Sequence, residues 1–182
     1  MSFRASLIAV TALACLTLAN APGVEAADPQ LKLPSFEHLQ RVAVETVNVT
    51  IGRGPLSLAA HVLENSADPQ DREFEEVLNR LQSVQVHSFK FASDGQFDAA
   101  EVDAIRNQLS APGWNALAKI HQHGPAAENV DIYVSMDHEL VNGLAILVAG
   151  PRELTVVNIV GSVDPATLAK FSTRLGLPSI AR

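Results

Sequence analysis

His121 and His123 are the residues of this chain whose type and spacing come closest to metal chemistry. Two positions apart on a β-strand, they would project from one face with their Cβ atoms about 7 Å apart. Such a pair can chelate zinc or copper once further ligands complete the coordination. The candidate ligands nearest in the sequence are Glu128, Asp131, His138 and Glu139. They form no second pair of matching spacing, so the pattern favours two exposed histidines at a strand end, with a metal-dependent enzyme as the alternative.

A second motif, Asp94 to Glu101, is similar to the closing positions of an EF-hand calcium loop. In that alignment Lys90 and Ala92 would occupy two of the ligand positions. A lysine ammonium repels a calcium ion, and the missing oxygen ligands cannot be replaced by alanine. The same residues suit a helix start, with Asp98 as the N-cap and Glu101 closing a capping box. The sequence therefore predicts a turn and a helix here rather than a calcium site.

Residues for nucleophilic or cofactor chemistry lack a recognisable setting. Ser110 and Ser135 do not lie in a G-x-S-x-G elbow. The glycines of Gly52-Arg53-Gly54 are not followed by the third glycine of a dinucleotide-binding loop. The sequence thus predicts no catalytic residue and no cofactor, and it favours a binding protein over an enzyme.

The first 26 residues have the layout of a secretory signal peptide. Arg4 supplies the positive start, an apolar run extends from Leu7 to Ala19, and small residues precede a cleavage site between Ala26 and Ala27. The run is shorter than the roughly 20 apolar residues of a membrane-spanning helix. We therefore expect a periplasmic or secreted protein that begins at Ala27 and has no transmembrane helix.

Cys15 leaves a second interpretation of this leader open. The preceding Ala12-Leu13-Ala14 is loosely similar to a lipobox, which would make the protein a lipid-anchored structural component of the envelope. Ala12 stands where a large aliphatic residue is expected, and the apolar run continues to Leu18, so ordinary cleavage is favoured. Because Cys15 is the single cysteine, the cleaved chain would carry no disulfide. A cysteine-free exported domain is typical of a bacterial periplasm.

Composition excludes two classes of partner. The chain has 13 basic and 20 acidic residues and a net charge of −7, and the leader removes one charge of each sign. Binding to nucleic acid requires a cluster of Lys and Arg, which the sequence lacks, and the same absence disfavours anionic membrane surfaces. Hydrophobic residues make up 47% of the chain, which is enough for the core of one domain.

The order of elements predicts one α+β domain over residues 34–178, preceded by a short exposed lead-in at 27–33. A short helix capped by Ser35, a strand over 44–51, and helices beginning at Pro55 and at Asp68-Pro69 form a helical N-terminal portion. Alternating residues then predict an antiparallel meander with helices packed on it. Two further expectations are a bulge near His87-Ser88, where the apolar phase changes, and a covered central strand over Leu140–Ala149. A last helix begins at Asp164-Pro165.

Several segments together carry a family resemblance: Pro34–Leu39, Ala111–Trp114, Glu153–Gly161, the strand around Tyr133, and Asn142–Leu144. In these segments the chain resembles the bacterial domain-of-unknown-function family numbered 4252, from about Leu33 to Leu177. The resemblance implies an exported bacterial protein of unknown function and supplies no catalytic residues. Some members of that family look like envelope lipoproteins, so the alternative at Cys15 stays open.

These observations favour a non-catalytic periplasmic or envelope domain that binds another protein or a small envelope ligand. The candidate surface is the polar face of the strand that carries Asp131, Tyr133 and Ser135, flanked by His121 and His123. Its partner is not defined by the sequence.

Overall fold

The structure, a computed structural model, describes residues 28–124, 127–137 and 140–163. Its helices are α1 (Glu37–Val42), α2 (Arg53–Leu63), α3 (Pro69–Arg80) and α4 (Ala99–Leu109). Its strands are β1 (Glu45–Gly52), β2 (Leu81–Lys90), β3 (Trp114–His121), β4 (Asn129–Asp137), β5 (Leu140–Gly150) and β6 (Glu153–Val163). The predicted signal peptide, its cleavage site and Cys15, the ligand candidates His138 and Glu139, and the predicted last helix lie outside the described residues.

All six strands form one antiparallel sheet in the order β1-β2-β6-β5-β4-β3. The predicted meander is present as β3 to β6, and β5 lies between β4 and β6, as its apolar character on both faces predicts. β1 and β2, joined by α2 and α3, extend the sheet beyond β6. The α+β prediction, an antiparallel sheet with helices packed on it, is confirmed.

One face of the sheet, here called the α4 face, packs against α1, α4 and the segment before α1. The buried side chains of this cluster include Leu39 of α1 and Ile105 and Leu109 of α4, each at most 1% exposed. The sheet contributes, among others, Phe89, Tyr133, Ala145, Leu147, Leu154 and Val156. Burial of this apolar surface, at about 25 cal/mol per Å², holds the helices on the sheet.

The opposite face, here called the α2–α3 face, is also apolar. Leu56 and Ala60 of α2 and Val77 and Leu78 of α3 pack with Leu81, against the strand residues Ile51, Val84 and Ile159. Further along the sheet, a third cluster consists of Ile132, Leu144, Ile146 and Val157. Both faces of the central strands are therefore buried.

The predicted bulge near His87-Ser88 is wrong, because both faces of the sheet are covered and the apolar phase can change without a bulge. Residues 83–90 of β2 pair in continuous register with β1 and with β6, and the irregularity lies between Leu81 and Ser83. Regular alternation already places Val84 and Val86 on the α2–α3 face and Phe89 on the α4 face. A change of apolar phase indicates a bulge only where one face of the strand meets water, and here neither face does.

Helix starts that rest on local capping agree with the prediction. The Asp68 carboxylate accepts a hydrogen bond from the Gln70 backbone N–H at 2.8 Å, and Asp98 and Glu101 form the predicted capping box. Two other starts differ, because α2 begins at Arg53 rather than at Pro55, and α1 follows Phe36 without a side-chain cap from Ser35. The two incorrectly predicted helix starts are those at which no side chain accepts a hydrogen bond from the first backbone N–H groups.

Of the lead-in predicted to be exposed at 27–33, residues 28–33 are described, and they pack onto the sheet. Leu31 is 4% exposed and belongs to the core cluster of the α4 face. Its backbone N–H donates to the side chain of Asn158 at 3.0 Å, and the Pro29 carbonyl accepts from the same side chain at 3.0 Å. We call residues 28–33 the N-terminal strap. The prediction was wrong because the partner that orders this segment is far away in the sequence.

His87 makes the stability of the fold sensitive to acid. Its Nδ1 is buried without a hydrogen-bond partner among the described residues, and its ring lies 5.2 Å from that of Phe36. Burial lowers the pKa of His87 below its usual 6.5. The unfolded chain therefore binds a proton that the folded chain resists, so the free energy of unfolding falls as the pH drops below about 6.5.

We expect His87→Gln to remove part of this acid-dependent loss of stability. Urea unfolding at about pH 7.5 and about pH 5.5 measures the loss as a difference in free energy of unfolding. His61→Gln is the matched control, because the His61 side chain is 75% exposed. An equal pH dependence in wild type and His87→Gln would contradict the assignment to His87.

Candidate functional site

A buried carboxylate forms the centre of the most polar cluster on the α4 face. Asp131 of β4 is 2% exposed, and each of its oxygens has a partner. Arg106 of α4 donates from Nε to Oδ2 at 3.0 Å, and Nε2 of His121 in β3 lies 3.1 Å from Oδ1. Because helix α4 and strands β3 and β4 each contribute one residue, the cluster ties three elements together.

The register of β3 on β4 explains why His121 reaches Asp131. Lys119 is paired with Asp131 and His121 with Asn129, so all four side chains lie on the α4 face. A bulge between Ala116 and Ala118 shifts the register of β3 by one residue. Ala116 therefore lies on the α4 face, whereas Ala118 and Ile120 lie on the opposite face. Simple alternation would place all three residues on one face.

The candidate surface predicted on β4 is wrong, because its residues lie inside the protein. Asp131, Tyr133 and Ser135 are 2%, 5% and 1% exposed, respectively. Tyr133 belongs to the main core, with the Lys119 ammonium 5.3 Å from its ring centre. The Ser135 hydroxyl is buried without a hydrogen-bond partner among the described residues. Alternation predicted that this polar face would meet water, but α4 and the strap cover it.

The predicted metal ligands are only partly brought together. His121, with a 54% exposed side chain, uses Nε2 on Asp131, and the Arg106 guanidinium shares that carboxylate. A cation on the carboxylate opposes the approach of a metal ion. Across residues 28–124, 127–137 and 140–163, no three metal-ligating side chains are close enough to hold an ion. The metal hypothesis for His121 and His123 stays a prediction that metal analysis of purified protein can test.

An open groove begins beside this cluster, where α4 meets the turn between β5 and β6. Its smaller part, about 290 Å³, has an apolar lining that includes Phe97, Val102 and Ala149. Arg106 and Asn129 provide the polar side chains of this part. Arg106, which holds Asp131, therefore also lines the groove.

A larger part, of about 610 Å³, is also lined by Gly150 and Pro151. Phe91 is the buried apolar residue of its lining, and the charged residues there are Lys90, Asp94, Glu128, Arg152 and Glu153. Both parts share the lining residues Gly150 and Pro151, so they are neighbouring concavities of one groove region at this end of the sheet. We call it the turn groove.

Charges of both signs form exposed ion pairs at the larger part of the turn groove. Arg152 donates from Nε to Asp94 at 2.6 Å, and the Lys90 ammonium lies 3.0 Å from the Glu45 carboxylate. The hydrogen bond to Glu45, together with its negative charge, raises the pKa of Lys90 above its usual 10.5. Lys90 is therefore cationic at any physiological pH, and the larger part of the groove presents both cations and anions to a ligand.

Sequence reasoning missed most of this site. The sequence predicts a turn at Asp94 and no ion pair, whereas its carboxylate accepts from Arg152. Arg106 and Asn129 belong to no recognisable sequence motif. The one sequence signal near this site is the capping box at Asp98, which predicts where α4 begins but not that the β5–β6 turn lies beside it.

The fold and this site define the class of protein as a small α+β domain with one antiparallel sheet and an open groove at one end. A family described as a domain of unknown function, DUF4252, matches residues 43–171, and the chain belongs to that family. The sequence resemblance to this family is thereby confirmed. No curated protein matches the chain. Within the described residues, every helix is too short or too polar to span a membrane.

Proposed function

We propose that this protein is a non-catalytic binding domain whose ligand lies in the turn groove. The observation that supports this function most directly is that an apolar and a charged concavity lie next to each other and share the lining residues Gly150 and Pro151. Ligand sites of small molecules are concave, largely apolar and provided with a few fixed polar groups. The turn groove combines these properties at a single place.

The chemistry of the groove favours a small ligand with an apolar body and a negatively charged group. In the smaller part, Phe97, Val102 and Ala149 suit the apolar body. Arg106, already oriented by Asp131, offers further guanidinium donors to an anionic group, and such charge-assisted hydrogen bonds are the stronger kind. The ion pairs in the larger part would position a polar extension of the ligand.

Filling the groove tests this function. Ala99 begins α4 and lines the smaller part of the groove, whereas its neighbour Ala100 is exposed and lies outside the lining. We expect Ala99→Trp to abolish ligand binding and Ala100→Trp to leave it unchanged. The probe is the low-molecular-weight fraction of an envelope extract, and native mass spectrometry detects the bound mass. A bound mass that Ala99→Trp retains, or no bound mass on the wild type, would contradict the proposal.

We also propose that the chain is exported from a bacterial cell and cleaved between Ala26 and Ala27. The N-terminal strap supports this position, because Pro29 and Leu31 are bound to the sheet and a cut at Ala26 leaves them in place. The functional form is then a periplasmic or secreted domain that includes the strap.

The intact mass of the protein recovered from its own cell tests this export. Cleavage predicts a chain that starts at Ala27. An acylated start at Cys15 would instead establish the lipid-anchored alternative, and an uncut chain in the cell interior would refute both.

A further inference from the structure

Strand β1 is an edge of the sheet and lacks the usual protection of an edge. Residues 45–52 pair continuously with residues 83–90 of β2, so β1 is regular enough to template another strand. It contains neither lysine nor proline, and its single charged residue, Glu45, is paired with Lys90. The opposite edge, β3, differs because it carries both a bulge at Leu117 and the lysine Lys119.

Two backbone hydrogen bonds show which groups of β1 face outward. Val44 donates to the carbonyl of Lys90 at 2.8 Å, and Phe91 donates to Arg152 at 2.9 Å, so Lys90 faces β1 while Phe91 faces β6. In an antiparallel sheet, the N–H and C=O groups of one residue both point to the same neighbouring strand, and those of the next residue point to the opposite side. It follows that the backbone N–H and C=O groups of Thr46, Asn48 and Thr50 point away from the sheet.

The side chains of β1 are complementary to a second copy of themselves. Val47, Val49 and Ile51 share the α2–α3 face, as their pairing with β2 shows, and Val47 is 41% exposed. An antiparallel pair centred on Val49 places Val49 against Val49, Val47 against Ile51, and Asn48 against Thr50. Apolar side chains then meet apolar ones on one face and polar ones meet polar ones on the other, which stabilises a strand pair.

Charge also favours this register. Centred on Val49, the last strand pair is Thr46 with Gly52, and Glu45 of one copy then lies next to the start of α2 of the other, where Arg53 is the first residue, at both ends of the contact. Centred on Asn48, it would instead place Glu45 against Ile51, which sets a carboxylate beside an apolar side chain. A register with opposite charges at its ends and like side chains within it is thus available to two identical strands.

We propose that two copies of this protein associate through their β1 edges, with Val49 at the two-fold axis, to form one continuous twelve-stranded sheet. The hydrogen bonds of the contact come from Asn48 and Thr50, and the apolar contact comes from Val47, Val49 and Ile51. This inference uses the edge opposite to β3 and does not depend on the turn groove.

A cysteine placed at the axis tests the proposal directly. Facing residues that are not hydrogen-bonded to each other have Cα atoms about 4.5 Å apart, which a disulfide can span. With Cys15 removed with the leader or replaced by serine, we expect Val49→Cys to form a disulfide-linked dimer at least about tenfold faster than Ile120→Cys. Ile120 is the matched control, because it is a 52% exposed β-branched residue on the other edge strand. Equal cross-linking rates would overturn the proposal.

Analytical ultracentrifugation of the cysteine-free protein provides the second measurement. The wild type should sediment as a dimer at micromolar concentration, and Asn48→Pro should sediment as a monomer, since proline is tolerated where an edge N–H faces solvent but cannot donate to a new strand. Val49→Lys should also be monomeric, because it sets two like charges against each other at the axis. Circular dichroism checks that both variants are folded. A monomeric wild type, or a folded variant that remains dimeric, would overturn the proposal.

Discussion

Asn158→Ala is expected to lower the free energy of unfolding by about 2–4 kcal/mol, one of the two largest effects predicted here. The Asn158 side chain is fully buried, and Oδ1 accepts from the Leu31 N–H at 3.0 Å and from the Gln30 side chain at 3.3 Å. Its Nδ2 donates to the carbonyl of Pro29 at 3.0 Å and that of Leu144 at 3.4 Å. Alanine removes both atoms and leaves the backbone of the strap unsatisfied.

The close fit of the strap explains why the loss should exceed that of one hydrogen bond. A Cβ atom on Gly143 would come within 2.5 Å of the Pro29 side chain, so the strap lies directly against the sheet. Gln30 extends the same network, since it accepts from Ser83 at 2.7 Å and donates to Gln85 at 2.8 Å. Releasing the strap would therefore expose Leu31 along with the broken hydrogen bonds.

Asn142→Ala is the matched control, since Asn142 also lies in an apolar strand but its Oδ1 is buried without a partner among the described residues. We expect its effect to be below about 1 kcal/mol. Urea unfolding measures both variants, and hydrogen exchange reports whether residues 28–33 lose protection in Asn158→Ala. Equal destabilisation by the two variants, or an unchanged strap in Asn158→Ala, would show that Asn158 does not hold it.

Arg106→Met is also expected to destabilise the protein by about 2–4 kcal/mol, because it leaves the Asp131 carboxylate buried with His121 alone. This loss of stability is smaller than for a fully buried ion pair, because the Arg106 side chain is 31% exposed and water can take its place. Denaturant unfolding at neutral pH measures the change.

The double variant Arg106→Met/Asp131→Asn should recover at least half of that loss, because the charge that needs a partner is removed with it. Arg152→Met is the matched control, since it breaks a short ion pair of which both members, Arg152 and Asp94, are more than half exposed. Its effect should be about 0.5 kcal/mol or less. If the double variant is no more stable than Arg106→Met, burial of the Asp131 charge is not the cause.

Prediction from the sequence succeeded where the signal was local. The carboxylates of Asp68 and Asp98 act on backbone groups within the next three residues, so their helices could be placed before any tertiary structure was considered. The apolar run of β5 likewise predicted a strand covered on both sides, and it is flanked by β4 and β6. The turn groove could not be predicted in this way, because α4 and the β5–β6 turn meet there through the fold of the sheet.

The sequence by itself determined the antiparallel α+β architecture, the positions of the capped helices and the membership of the family, since short-range patterns of apolar and capping residues carry that information. Tertiary structure alone decided which polar residues are covered. Asp131 and Ser135 alternate with apolar neighbours as residues of a water-facing strand would, yet α4 and the strap lie over them. Likewise Asn158 orders a segment that is 127 residues away at Leu31. A strand of period two shows that its faces differ, but the identity of the layer on each face depends on contacts that no local pattern encodes.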